Sequence, residues 1–379
     1  MSLHHRRFSY DARSVFGGKT LIAAVCLYVL VIGCTLWTPQ SLDTGSAGEA
    51  QAAVSTASME GLPYCGATMQ LYQVDDVAGY EKACDEIAAL GCDSVMFVPN
   101  TFMETATSST IYIDLRRTLS SDNLKRLIAH ARADHLRVIL MPIVLLDKPK
   151  ADTDWRGTIH PDDWDDWFDS YQSMITFYAQ LAEQSGVNLL VVGSELVSSE
   201  PFVDQWRTTI RKVRQTFHGQ LTYSSNWDHY AMVQFWNDLD IVGMNSYWKL
   251  GPDDDSTVSV DEIEKRWTDI QKDLFAWQET VHKPIMLLEA GWCSLANASY
   301  EPWDYTRDDL ALNLDIQRRL YEGFYNSWWG KPQSAGFMMW EWSVDDEPSG
   351  TEDKGYTPRG KPAADVMKAW MSKPRWKVE

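Results

Sequence analysis

The chain has 379 residues, of which 45% are hydrophobic, 12% aromatic and 23% charged, proportions that suit a globular protein and exclude a disordered or fibrous one. Its formal charge is −19, and residues 1–63 add nothing to it, because Arg6, Arg7, Arg13 and Lys19 offset Asp11, Asp43, Glu49 and Glu60. Acidity on this scale repels a nucleic-acid backbone and otherwise acts as a solubilising surface.

Residues 1–19 form a basic segment, followed at 20–37 by TLIAAVCLYVLVIGCTLW, an uncharged apolar run of 18 residues. That length just suffices for a spanning helix, and the positive flank keeps the N-terminus in the cytoplasm and sends the rest of the chain outside. Alternatively the run is a secretory signal in which Val31-Ile32-Gly33-Cys34 resembles a lipobox, with Cys34 lipidated after cleavage. Both readings predict an extracytoplasmic, membrane-anchored protein. Residues 38–60 are rich in Ser, Thr, Ala and Gly and lack aromatic residues, which reads as a flexible tether, so the folded domain is expected over 61–379.

From there, short apolar runs bounded by turn residues alternate with helical periodicity. The expected strands are Ala67–Leu71, Asp93–Pro99, Leu136–Ile143, Asn188–Ser194, Leu221–Ser225, Ile241–Ser246, Pro284–Glu289 and Gly336–Glu341. Between them one helix opens on Ser121 as N-cap, with Leu124, Leu127, Ile128 and Ala131 on a single face. The others are expected over 77–90, 164–184, 201–217, 260–280, 306–329 and 363–371. This alternation predicts a single (β/α)₈ TIM barrel. An open doubly wound sheet would need a Gly-rich phosphate loop after its first strand, and Gln70-Leu71-Tyr72 offers none.

Cys65, Cys84, Cys92 and Cys293 show neither a CxxC pair nor metal-ligand spacing, and the eight histidines form no HExxH cluster. The cysteines are expected to be buried small hydrophobes, and neither a metal nor an organic cofactor is expected.

Barrel enzymes carry their chemistry at the C-terminal strand ends. Polar residues fall there at Gln70, Asn100, Glu195, Asn226 with Trp227, Tyr247, Glu289, and Trp340 with Glu341. Glu195 and Glu289 close the apolar runs LLVVGSE and PIMLLE on the fourth and seventh strands, where a lone buried carboxylate would cost several kcal/mol. Facing each other, they fit a retaining glycosidase, which needs two carboxyl groups about 5–5.5 Å apart, one to protonate the leaving oxygen and one to attack the anomeric carbon. Repulsion and burial are expected to keep one of the two protonated near neutral pH.

That placement is the arrangement of the clan A glycoside hydrolases, and within the clan the chain resembles glycoside hydrolase family 113, whose known members degrade β-mannan. The matching stretches are VVGSELVSSE (191–200), LTYSSNWDHY (221–230), FWNDLDIVGMNSYW (235–248), PIMLLEAGW (284–292) and GYTPRGKPA (355–363). The resemblance implies Glu195 as acid/base, Glu289 as nucleophile, Tyr247 as hydrogen-bond donor to the nucleophile, and Trp340 as the aromatic floor of the −1 subsite. Many clan members carry Asn before the fourth-strand glutamate, where this chain has Ser194, and Asn226 is the expected replacement partner for the sugar 2-hydroxyl.

Asn100, Gln70, Trp227, Trp248 and Trp292 complete the expected substrate contacts, since amides bond hydroxyls and indole faces stack on sugar rings. Trp206, Trp267 and Trp277 sit in helical stretches and are expected in packing. Strand alternation would turn Glu341 away if Trp340 faces the cleft, and Glu200, Asp228, Asp345 and Asp346 are expected to be solvated loop acids. The predicted activity is endo-β-mannanase-like hydrolysis of a polysaccharide such as β-mannan or glucomannan. The alternatives are a tethered enzyme processing the cell's own exopolysaccharide and a non-catalytic carbohydrate-binding barrel.

Overall fold

The computed structural model describes residues 61–252, 257–307, 309–344 and 350–379. Its strands are β1 (Tyr64–Gln70), β2 (Ser94–Val98), β3 (Asn100–Met103), β4 (Ile111–Tyr112), β5 (Arg137–Leu140), β6 (Ile143–Leu146), β7 (Leu189–Ser194), β8 (Gln220–Ser225), β9 (Val242–Asn245), β10 (Ile285–Ala290) and β11 (Ser334–Met339). The helices are α1 (Val77–Ala89), α2 (Ser121–Ala133), α3 (Trp164–Ser185), α4 (Val203–Arg214), α5 (Val260–Val281), α6 (Leu314–Trp328) and α7 (Pro362–Met371). The apolar run at 20–37 and the linker at 38–60 lie outside the described residues. Among the described residues no helix is long and apolar enough to cross a membrane.

Eight strands close into a parallel barrel in the order β1-β11-β10-β9-β8-β7-β5-β2, as the alternation of runs predicts. Met96, Ile139, Leu189, Val191, Met286 and Met338 fill its interior. Their strand neighbours Val95, Val138, Leu190 and Val192 point outward onto helix faces that include Leu127, Ile175 and Ile210. Each such side chain contributes about 1.5–3 kcal/mol by leaving water, so both strand faces must be apolar and the runs are continuous rather than alternating. The four described cysteines are free and buried within these layers.

Two predicted strands run on past their expected ends as separate ones. β2 continues beyond Pro99 as β3, and β5 continues beyond Pro142 as β6, with Asn100 pairing Ile143 in a second sheet ordered β4-β3-β6. Proline has no N–H to give to a ladder, so the barrel lattice stops at each one, and the chain extends as a small sheet beyond the barrel's C-terminal end. Helix starts move by capping. Ser120 rather than Ser121 caps α2, accepting from Asn123 N–H, and α6 begins at Leu314, capped by Asn313 through the N–H groups of Asp315 and Ile316.

Candidate active site

Glu195 and Glu289 both come to the C-terminal mouth of the barrel, each at a strand end where the register shifts. Glu195 follows β7, whose odd residues Leu189 and Val191 face the interior. The register against β8 shifts between Val191 and Ser194 and Gly193 turns toward the outer layer of Tyr171, Trp206 and Tyr223, so alternation alone does not carry the Glu195 side chain inward. Its backbone is left-handed, with φ 56. In β10 the same alternation would put Glu289 beside the outward-facing Ile285 and Leu287. The register against β9 shifts between Leu287 and Glu289, pairing Glu289 with Asn245, and an irregularity of this kind re-aims a side chain. Ser246 then holds the Glu289 carbonyl with both its N–H and its hydroxyl, each at 2.8 Å.

The two carboxylates have different partners. Tyr247 donates its hydroxyl to Glu289 Oε2 at 3.0 Å, while Glu289 Oε1 is buried with no hydrogen-bond partner among the described residues. Glu195 Oε1 accepts from Asn245 Nδ2 at 2.5 Å, and Glu195 Oε2 pairs with the Arg156 guanidinium. Asn245 is fixed in turn by the Trp227 N–H, which donates to its Oδ1 at 2.8 Å. Its Nδ2 also reaches Asn226 Oδ1 at 3.2 Å, which leaves the Asn226 amide N–H groups as donors for a sugar hydroxyl. Ser194, where many clan members carry Asn, is buried, and Asn245 supplies the amide beside Glu195 instead.

Glu289 is 3% exposed and Glu195 8%. Burial first, and then the negative charge of Glu195, push the Glu289 carboxyl from 4.5 up to about 8, with Glu341 adding to the rise and Arg156 and the Tyr247 hydrogen bond opposing it. One proton therefore stays on the pair at neutral pH. The titration belongs to the pair. Because loss of the shared proton removes the general acid, kcat/KM is expected to fall as pH rises through about 8. Arg156→Met removes a charge that opposes the rise and is expected to move this limb to higher pH by about one unit. A pH profile of both proteins checks this, and an unmoved limb would dissociate Arg156 from the pair.

The other expected contacts divide. Trp340 sits with Tyr247 and Tyr356 in the apolar cluster at the mouth, and Gly291 permits this because any Cβ there would lie 1.9 Å from the Trp340 carbonyl. Asn100 opens β3, buried, with its side-chain oxygen lacking a hydrogen-bond partner among the described residues. Gln70 donates to Glu341 Oε2 at 3.0 Å. Trp227 is half-buried and stacks on Trp303 with the planes at 15° and centroids 6.4 Å apart.

Four expectations are corrected. Trp292 is 0% exposed and packs edge-on against Trp267 and Tyr321, so it belongs to the core behind β10 and offers no face to a sugar. Trp248 is largely core as well, touching Trp227 on one side and Trp267 on the other. Glu341 does not turn away: β11 ends at Met339, alternation no longer governs beyond it, and Glu341 lies close enough to act on Glu289. Glu200 is not solvated but buried, its carboxyl pushed up by burial to about 7 and hydrogen-bonded by Tyr223. Asp345 and Asp346 lie outside the described residues.

Sequence reasoning missed Arg156, Asn245 and Trp303. Asn245 stands in the matched stretch DIVGMNSYW at the end of β9 and was legible as a strand-end amide. Arg156 and Trp303 sit in loops without periodicity, and nothing local marks them. A cation-type cluster of Asp85, His130 and Asp134 lies on α1 and at the end of α2, outside the barrel and remote from the mouth.

The fold has solved counterparts. The β-mannanase AaManA from Alicyclobacillus acidocaldarius, solved in complex with ManMIm, is 28% identical with a TM-score of 0.72, covering 82% of this chain and 98% of that one. A second β-1,4-mannanase of the same family is 25% identical at TM-score 0.71, covering 82% and 99%. An endo-β-1,4-mannanase from Thermotoga petrophila, 12% identical with a TM-score of 0.56 over 83% and 77% of the two chains, shares the fold alone. No curated protein sequence matches the chain. The profile of Glycoside Hydrolase Family 113 matches residues 76–361, which takes in both glutamates, Tyr247, Asn245 and Arg156, and the chain belongs to that glycoside hydrolase family.

Proposed function

We propose that the protein hydrolyses a β-1,4-linked mannan or glucomannan with retention of configuration. The observation that carries this reading is the pair of buried carboxyl groups, Glu195 and Glu289, at the ends of the fourth and seventh barrel strands, with the Tyr247 hydroxyl donating to Glu289. In the first step a Glu289 oxygen attacks the anomeric carbon as the glycosidic C–O bond breaks, and Glu195 gives its proton to the departing oxygen. In the second, Glu195 takes a proton from water, whose oxygen displaces Glu289 from the anomeric carbon. Tyr247 holds Glu289 in place and stabilises its charge as it becomes the leaving carboxylate.

Substrate class rests on the family and on the mannanases the chain is similar to. A panel of β-mannan, glucomannan, β-glucan, xylan and aryl β-glycosides tests it, with β-mannan or glucomannan expected to give kcat/KM at least about tenfold above the rest. Preference for a β-glucan or xylan would overturn the mannan assignment. The basic segment and apolar run at 1–37 support an extracytoplasmic, membrane-tethered enzyme. That position favours a second reading, in which the substrate is the cell's own exopolysaccharide. Protection of the domain from external protease in intact cells would contradict the tethered, outward arrangement.

A further inference from the structure

Glu195 holds a left-handed φ of 56, a conformation that a non-glycine residue keeps only where its surroundings fix it. Its own N–H donates to the Ser224 carbonyl at 2.8 Å. The next N–H, that of Leu196, donates to Tyr223 Oη at 3.0 Å, and the Tyr223 hydroxyl donates to Glu200 Oε1 at 2.9 Å. Both peptides flanking the Glu195 Cα are thus tied to β8. Tyr223 is 0% exposed, seated among Trp206, Phe235 and Trp236. Gly193 lets that aromatic layer close against β7, since a Cβ there would meet Trp206, Tyr223 and Tyr171 at 2.8–3.0 Å.

A phenol that merely filled this space would need no buried carboxylate beside it. Phenylalanine would pack equally well, and burying Glu200 costs stability. Glu200 gives the Tyr223 hydroxyl hydrogen an acceptor, which orients the oxygen lone pairs toward Leu196 N–H. We propose that Tyr223 and Glu200 are positioning residues that brace the acid/base Glu195, through the Leu196 peptide, in the one backbone conformation that presents its carboxyl to Asn245 and to the leaving oxygen. The role given to Glu195 here rests on the proposed function.

The test uses the full-length chain and two substrates, a mannopentaose, whose departing sugar oxygen needs a proton, and 2,4-dinitrophenyl β-mannobioside, whose leaving group needs none. Values of kcat/KM are compared because they report binding and bond breaking and exclude hydrolysis of the intermediate. Tyr223→Phe is expected to lower kcat/KM on mannopentaose by about 10- to 100-fold and on the aryl glycoside by less than about threefold. Glu200→Gln, which keeps an acceptor oxygen, is expected to stay within about threefold on both, and Glu200→Ala to follow Tyr223→Phe. Equal losses on both substrates, or none on mannopentaose, would overturn the brace. Should the native protein cleave no β-mannoside, the mannan reading fails, and the brace is judged by a crystal structure of Tyr223→Phe. Departure of Glu195 from left-handed φ and loss of its Asn245 hydrogen bond would support it, and an unchanged Glu195 would refute it.

Discussion

Replacing Glu289 by alanine is expected to lower turnover of β-mannan by about 10⁴-fold or more, because it removes the carboxylate proposed to form the covalent intermediate. Its Oε1, which has no hydrogen-bond partner among the described residues, is the oxygen available for attack, and Tyr247 on Oε2 fixes its direction. Azide supplied to this variant should occupy the space left by the side chain and attack from the same face, giving a glycosyl azide of inverted, α configuration. Thermal unfolding separates chemistry from folding. The folded-state carboxyl lies at about 8 against an ordinary 4.5, so folding favours its protonated form. The stability this contributes is complete below about pH 4.5 and is lost as pH rises to about 8. Glu289→Gln should therefore unfold at a temperature close to the native protein's at acid pH and above it at pH 9. Activity retained in Glu289→Ala would remove it from the mechanism.

For Glu195→Ala the expected loss on β-mannan is about 10²–10⁴-fold, the range for a positioned general acid. The loss should nearly vanish in kcat/KM for an aryl glycoside with a good leaving group. Hydrolysis of the intermediate still needs the general base, so kcat on that substrate should fall, and azide, which requires no base, should restore it with a β-glycosyl azide as product. The opposite configurations of the two azide products, α from Glu289→Ala and β from Glu195→Ala, assign the two roles independently of rate. The same configuration from both would leave the roles unassigned to these positions.

The barrel and the acid pair were legible in the sequence because each is encoded locally. A strand buried on both faces must be a short continuous apolar run, and eight of them alternate with helical patterns. A carboxylate closing such a run stands out against its surroundings. The re-aiming of Glu289 was not legible: counting by twos from Ile285 and Leu287 turns it outward, and only the register shift against β9 corrects the count. Pro99 and Pro142 were visible, but their effect depends on where each barrel strand meets its neighbours. Arg156 reaches Glu195 across 39 positions from a loop, a contact fixed by tertiary placement alone. Trp292 illustrates the reverse case, a loop tryptophan after a strand end that resembles a cleft residue until α5 and α6 close over it with Trp267, Tyr321 and Phe324.

Arg156 also bears on the order of events in the site. A cation beside Glu195 suits the second half of the reaction, where that carboxylate takes a proton from water, and opposes the first, where it must already hold one.

Stereochemistry tests retention most directly. Proton NMR of the anomeric region, recorded in the first minutes of β-mannan oligosaccharide hydrolysis before mutarotation, should show the β-anomer of the newly formed reducing end accumulating first, with the α-anomer following only as mutarotation proceeds. Initial appearance of the α-anomer would mean direct displacement by water, and would contradict Glu289 as a nucleophile that forms a glycosyl-enzyme intermediate.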